Sequence, residues 1–164
     1  MLVATLKKPI NERRKKMDVK TLLMCVGIVF GIIALVYVIV TIAIMQDAKK
    51  KQAVLRKLKL AVNGAMLHVG TVILEGRDGE TDVKTIYSKV RDELNDADTG
   101  VFRYYSDELD YMLFRGYILR FIESMNRAMR RLDNDDYVTP ELDTDLKYLT
   151  DYSMMFFHKY LPND

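Results

Sequence analysis

With 164 residues the chain is long enough for one or two small structural units. Three Pro and eight Gly exclude collagen-like and Pro-rich low-complexity architectures, and a single Cys excludes an internal disulfide framework or a zinc site built on Cys alone. The net charge of +2 conceals a division: residues 1–59 carry 13 Lys+Arg against 3 Asp+Glu, a net of +10, whereas residues 60–164 carry 12 against 20, a net of −8.

Residues 1–20 form a basic arm too short to hold a core, with Lys7, Lys8, Arg13, Arg14, Lys15, Lys16 and Lys20 as its cations. Such an arm directs membrane topology and touches anionic headgroups, each cation near the surface contributing ~1 kcal/mol. No aromatic residue is interleaved with these charges to stack on bases, so no nucleic-acid partner is expected.

From Thr21 to Met45 there are 25 residues without a charge. As a helix they rise about 37 Å at ~1.5 Å per residue, more than a ~30 Å hydrocarbon core requires. The run is rich in β-branched Val and Ile, which weaken helices in water; in lipid the backbone must satisfy its own hydrogen bonds, and the helix wins. The run is too long for the apolar region of a cleaved signal peptide, and Ala43-Ile44-Met45 is a poor cleavage site. The segment therefore predicts an uncleaved signal anchor. It contains no ionisable side chain of the kind that ion paths and proton relays need. Gly27 and Gly31 form a Gly-x-x-x-Gly pair followed by Ala34, a spacing at which two membrane helices approach closely. Seven cations precede the span within 20 residues and six follow it, so counting charges barely separates the two orientations. The difficulty of translocating the leading cations favours a cytoplasmic N-terminus and a C-terminal domain outside the cytoplasm.

Residues 46–59 read as a basic juxtamembrane helix, with Lys49, Lys50 and Lys51 expected at lipid headgroups alongside Lys15, Lys16 and Lys20. Residues 60–164 read as an acidic helical domain. The helix over 48–74 has Val54, Leu55, Leu58, Val62, Ala65, Met66, Val69 and Val72–Ile73 recurring at three and four. Gly76 to Glu80 is a breaker cluster, read as the loop of a helix–loop–helix, with a hairpin of 71–75 and 83–87 as the alternative. Val83, Ile86, Tyr87, Val90 and Leu94 predict a helix over 82–94, and Asn95 to Gly100 reads as a polar turn.

A long helix is expected over 107–132 with Ser106 as N-cap. Tyr111, Phe114, Ile118, Phe121, Met125, Ala128 and Leu132 form its apolar stripe, a helix-packing or partner face, widened by Leu113, Leu119, Ile122 and Met129. The acidic run 133–136 ends it. Thr139-Pro140-Glu141 opens a last helix as cap, first helical residue and acid at the positive end, and Leu161-Pro162 closes it. The fold class is mainly α: one N-terminal transmembrane helix followed by a domain of three to four helices.

Catalytic motifs are absent from the sequence. His68 and His158 stand without a neighbouring Cys or His, and the acids after Asp133 fail the EF-hand pattern at Tyr137 and Val138. No cofactor or metal is expected. The pattern points to a single-pass membrane protein that is not an enzyme. Its helical domain would bind an envelope or membrane protein, or a second copy of itself, alongside membrane lipids. A viral or phage-type protein that makes lesions or controls lysis, and a membrane-tethered enzyme, are the alternatives.

Overall fold

The computed structural model describes residues 19–75, 80–131 and 138–162. They form four helices: α1 (Val19–Glu75), α2 (Glu80–Tyr105), α3 (Leu109–Arg130) and α4 (Pro140–Tyr160). No strand occurs among the described residues, and the fold is mainly α. Residues 71–75 and 83–87 are helical, so the hairpin alternative does not arise. The breaker cluster between them lies outside the described residues apart from Glu80.

The chain divides into two compact units, Met1–Met45 and Gln46–Asp164. In the first, the described part is a helix whose apolar side chains are exposed. By length and composition it is able to cross a membrane. Thr41 donates its hydroxyl to the Tyr37 carbonyl at 2.8 Å, so this polar group needs no outside partner.

The second unit is a four-helix bundle made of the Gln46–Glu75 part of α1 with α2, α3 and α4. The positions that meet reveal its topology. Gly100 lies beside Val54 and Gly64 beside Glu93, so α1 and α2 run antiparallel. Tyr111 meets Asp98 while Ser88 meets Met129, which makes α2 and α3 antiparallel. Arg120 meets Asp145 while Lys159 meets Asp110, which does the same for α3 and α4. Gly70 lies beside Leu146, whereas Lys59 shares a groove with His158 and Leu161, so α4 returns along α1. This is an up-down-up-down bundle, the arrangement that short connections favour.

Helical periodicity fills the core. Leu55, Leu58, Val62, Ala65, Val69 and Val72 of α1 face Val83, Tyr87, Val90 and Leu94 of α2 within one buried cluster. From α3 come Tyr111, Phe114, Ile118, Phe121, Ile122, Met125 and Ala128, and from α4 Leu142, Leu149, Phe156 and Phe157. Thr139 caps α4 as its sequence predicts, accepting from the Leu142 N–H at 3.2 Å with Pro140 in the first turn.

Three expectations need correction. The segment Asn95–Gly100 is not a turn: α2 runs through it to Tyr105, because Ala97, Asp98 and Val101 continue the inward face. Thr99 returns its hydroxyl to the Asn95 carbonyl at 2.8 Å instead of opening a loop. Second, Ser106 is not the cap of α3. Because α2 extends to Tyr105, Ser106 and Asp107 are consumed by the turn, and Glu108 holds the cap position without a side-chain hydrogen bond. Third, Leu113 and Leu119 do not widen the buried stripe of α3; both are exposed. Ile122 is buried and Met129 partly so.

Gly100 therefore sits in the interior of a helix, and a methyl group there would make ordinary contact with the Val54 side chain at 3.8 Å. Replacing Gly100 by Ala should stabilise the protein by about 0.5–1 kcal/mol, the usual helix-interior cost of Gly. Thermal unfolding of the full chain in detergent should show a raised midpoint; a lowered one would restore the turn.

Candidate functional site

The residues singled out from the sequence occupy three different settings. Gly27, Gly31 and Ala34 are exposed on the first unit, and no atom lies within 4 Å of where a side chain would begin at either glycine. This surface is open to another helix or to lipid. Lys20, Lys49 and Lys50 are exposed, whereas Lys15 and Lys16 lie outside the described residues. Lys51 differs from its neighbours: its ammonium pairs with Asp47 at 3.0 Å, and that hydrogen bond raises its pKa above the ordinary lysine value. Tyr111, Phe114, Ile118, Phe121 and Met125 are core residues, so their face packs inside the bundle, and Leu132 lies outside the described residues.

Sequence reasoning missed two buried acids. Asp98 of α2 and Asp145 of α4 are each only 2% exposed, and each is met by side chains of α3. Tyr111 donates its hydroxyl to Asp98 Oδ1 at 2.6 Å, and Arg115 Nε donates to Oδ2 at 2.9 Å. Arg115 also lies over the Phe102 ring at 4.3 Å. On the other side of α3, Ser124 donates to Asp145 Oδ2 while accepting from Arg127 Nη2 at 2.8 Å. Arg120 Nε approaches Asp145 Oδ1 to 2.6 Å. That contact is close enough for a strong charge interaction but misaligned for a hydrogen bond, and Oδ1 accepts none. The sequence carried a signal for both acids. Asp98 stands between Leu94 and Val101, and Asp145 between Leu142 and Leu149, at core positions of their helices.

Burial raises the Tyr111 pKa, and its hydrogen bond to Asp98 adds to the effect. The hydroxyl is thus held as a donor. Tyr105 and Tyr160 are also raised, in both cases mainly by burial. Beside them, in the first turn of α3, the hydrogen bond from Lys159 holds Asp110 below the usual carboxylate range.

Between α3 and α4 lies an open groove of about 260 Å³, lined by Leu113, Phe114, Tyr152, Met155 and Phe156 with the Asp110–Lys159 pair at its edge. Its floor is an aromatic layer in which Phe114 stacks on Phe156 at 4.8 Å and Tyr117 on Tyr152 at 4.0 Å. His68 and His158 are both exposed, and among the described residues no three His, Cys, Asp or Glu side chains converge as metal ligands would. The polar groups gathered around α3 bind one another. No family model, curated protein or solved structure matches the chain.

The raised tyrosines fix a direction of pH dependence. A group whose folded pKa exceeds its unfolded value contributes stability below the unfolded pKa, about 10 for Tyr, and loses it as pH rises beyond that. Stability of the full chain in detergent should fall steeply above about pH 10, and Tyr111→Phe should make that fall shallower. At neutral pH the same variant leaves Asp98 Oδ1 without its buried donor and should cost about 1–3 kcal/mol. Denaturant titrations of both proteins at neutral and alkaline pH check both halves.

Proposed function

We propose that the chain is a single-pass membrane protein with residues 1–20 in the cytoplasm and the four-helix domain on the opposite side. There the domain acts as a non-catalytic interaction or assembly module. One observation carries the membrane assignment: the bundle closes its core without residues 21–45, whose apolar side chains stay exposed. Twenty-five uncharged residues in that state are stable in hydrocarbon and would aggregate in water. Lys20 before the span and Lys49 and Lys50 after it suit the two headgroup layers. Lys51, already neutralised by Asp47, contributes less.

The orientation rests on the seven cations that lead the span, since a following domain crosses largely regardless of its charge. The interaction role rests on what the bundle leaves over. Its buried acids are absorbed in fixing α3, and its exposed surface retains more large apolar side chains than solubility asks for: Leu60, Leu67, Leu74, Leu109, Leu113 and Met155. These suit protein partners in the membrane or its envelope.

Asn95 is exposed on α2 and offers a labelling position. In a Cys25→Ala chain, Asn95→Cys should react with a membrane-impermeant maleimide in intact cells. Reaction only after lysis would reverse the orientation and move every partner to the cytoplasm. Recovery of the chain in the soluble fraction would end the membrane assignment.

A further inference from the structure

We propose that the end of the bundle made by the α2–α3 turn and the close of α4 rests in the lipid headgroup layer of the bilayer that α1 crosses, with Leu109 as its apolar contact and Tyr104, Tyr105 and Tyr160 beside it. The proposal rests on the membrane assignment above and names lipid as the cover for one part of the exposed apolar surface. Three connections place these residues at one end of the domain. Gly100 lies beside Val54 and α2 runs antiparallel to α1, so Tyr104 and Tyr105 are level with Lys50 and Lys49. Lys51 is near enough to Tyr105 for its charge to act on the phenol. The Tyr160 ring meets the Tyr105 ring edge-on at 5.7 Å, and its hydroxyl donates to Glu108 Oε2 at 3.4 Å and Asp110 Oδ2 at 3.5 Å. The chain enters the bundle at Gln46, at this same end. Leu109, the first residue of α3, is 73% exposed there.

Distance along α1 decides which exposed side chains lipid reaches. At ~1.5 Å per residue, Lys49 stands ~6 Å beyond Met45, the last residue of the uncharged run. A headgroup layer is about 5–7 Å deep on each side of a ~30 Å hydrocarbon core. The level of Tyr104 and Tyr105 therefore falls within it. Leu60 and Leu74 lie ~22 Å and ~43 Å beyond Met45 and are out of its reach. Composition agrees with this placement. Tyrosine joins an apolar ring to a polar tip, the combination that collects at membrane interfaces. The ionic groups at this end are closed within the chain, Asp47 with Lys51 at 3.0 Å and Asp110 with Lys159. A charged protein surface finds little to bind here. An exposed leucine among tyrosines and closed ion pairs instead matches the passage from hydrocarbon to water. Asp107 and Glu108 make the turn itself acidic, so zwitterionic headgroups suit it better than anionic ones.

Quenching by nitroxide-bearing lipids tests the contact in the full chain. Cys25→Ala chains carrying either Ser106→Cys or Leu74→Cys are labelled with a fluorophore and reconstituted in phosphatidylcholine vesicles. A nitroxide on the lipid headgroup should quench the label at residue 106 several-fold more strongly than the label at residue 74, which is also exposed but stands at the other end of α1. Aqueous iodide should show the opposite preference. Because the anchor alone keeps this end near the bilayer, Leu109 decides the matter. Leu109→Asn should lose most of the headgroup quenching at residue 106, and Leu109→Ile should keep it; the exposed position leaves the core intact in both. Equal quenching at residues 106 and 74, or quenching at 106 that survives Leu109→Asn, would overturn the proposal. So would a label at 106 that is shielded from iodide yet untouched by the headgroup nitroxide, which would put a protein there. A label at Val36→Cys reads the anchor separately. Without quenching at residue 36 by nitroxides on the acyl chains, the membrane assignment falls and the lipid contact with it. Quenching at 36 together with any of the three contrary results defeats the lipid contact alone.

Discussion

Helix α3 is held from both sides by a buried carboxylate. Asp98 comes from α2 and Asp145 from α4, and α3 answers each with one arginine and one hydroxyl: Arg115 with Tyr111, and Arg120 with Ser124. In a low-dielectric interior an acid without its donors is costly, and removing one partner of such a pair is far worse than never having built it. A slip of α3 by one turn along either neighbour, or a rotation about its own axis, would strand a carboxylate among apolar side chains. Hydrophobic stripes alone tolerate such slips, because one Leu replaces another. We regard the two clamps as the source of a unique register in an otherwise apolar bundle, at some expense of stability.

Several features follow from that register. With α3 fixed, Tyr111 and Phe114 meet Phe156 and Phe157 in the aromatic layer between α3 and α4. Arg115 is placed over Phe102, and Arg120 lies toward the Tyr148 ring at 5.9 Å. The clamps also engage polar groups of α3 within the bundle. Ser124 is wholly buried and shared between Asp145 and Arg127, and Tyr111 is wholly buried against Asp98. The proposed role of the domain as an interaction module is built on its surface.

The surface itself is uneven. α1 is apolar on two opposite sides: one builds the core, and the other carries Leu60, Leu67 and Leu74 into solvent. A bundle that needed only to fold would gain solubility from polar residues at those three positions. These three leucines belong to the exposed apolar surface on which the proposed interaction role rests. Charge is divided along the sequence as well. Cations bound the apolar run on both sides, whereas residues 60–164 carry a net charge of −8.

The sequence by itself determined the elements that depend on local or one-dimensional patterns. The uncharged run of 25 residues, the core stripe of α1 and the Thr139-Pro140 start of α4 are legible because hydrophobic period and capping chemistry act over a few residues. The core line from Tyr111 to Met125 was legible for the same reason. Asn95–Gly100 was misread because Asn, Asp, Thr and Gly favour turns when only neighbours are considered. Only the packed bundle supplies the compensation, by burying Ala97 and Val101 and giving Asp98 its donors on α3. The exposure of Leu113 and Leu119 was likewise decided by tertiary structure. A helix with apolar residues on two faces does not announce which face its neighbours will cover, and here the two clamps made the choice. The pairing of Asp145 with Ser124 and Arg120 lies furthest from the sequence, since it joins residues more than 20 positions apart through a geometry that exists only once α3 and α4 have met.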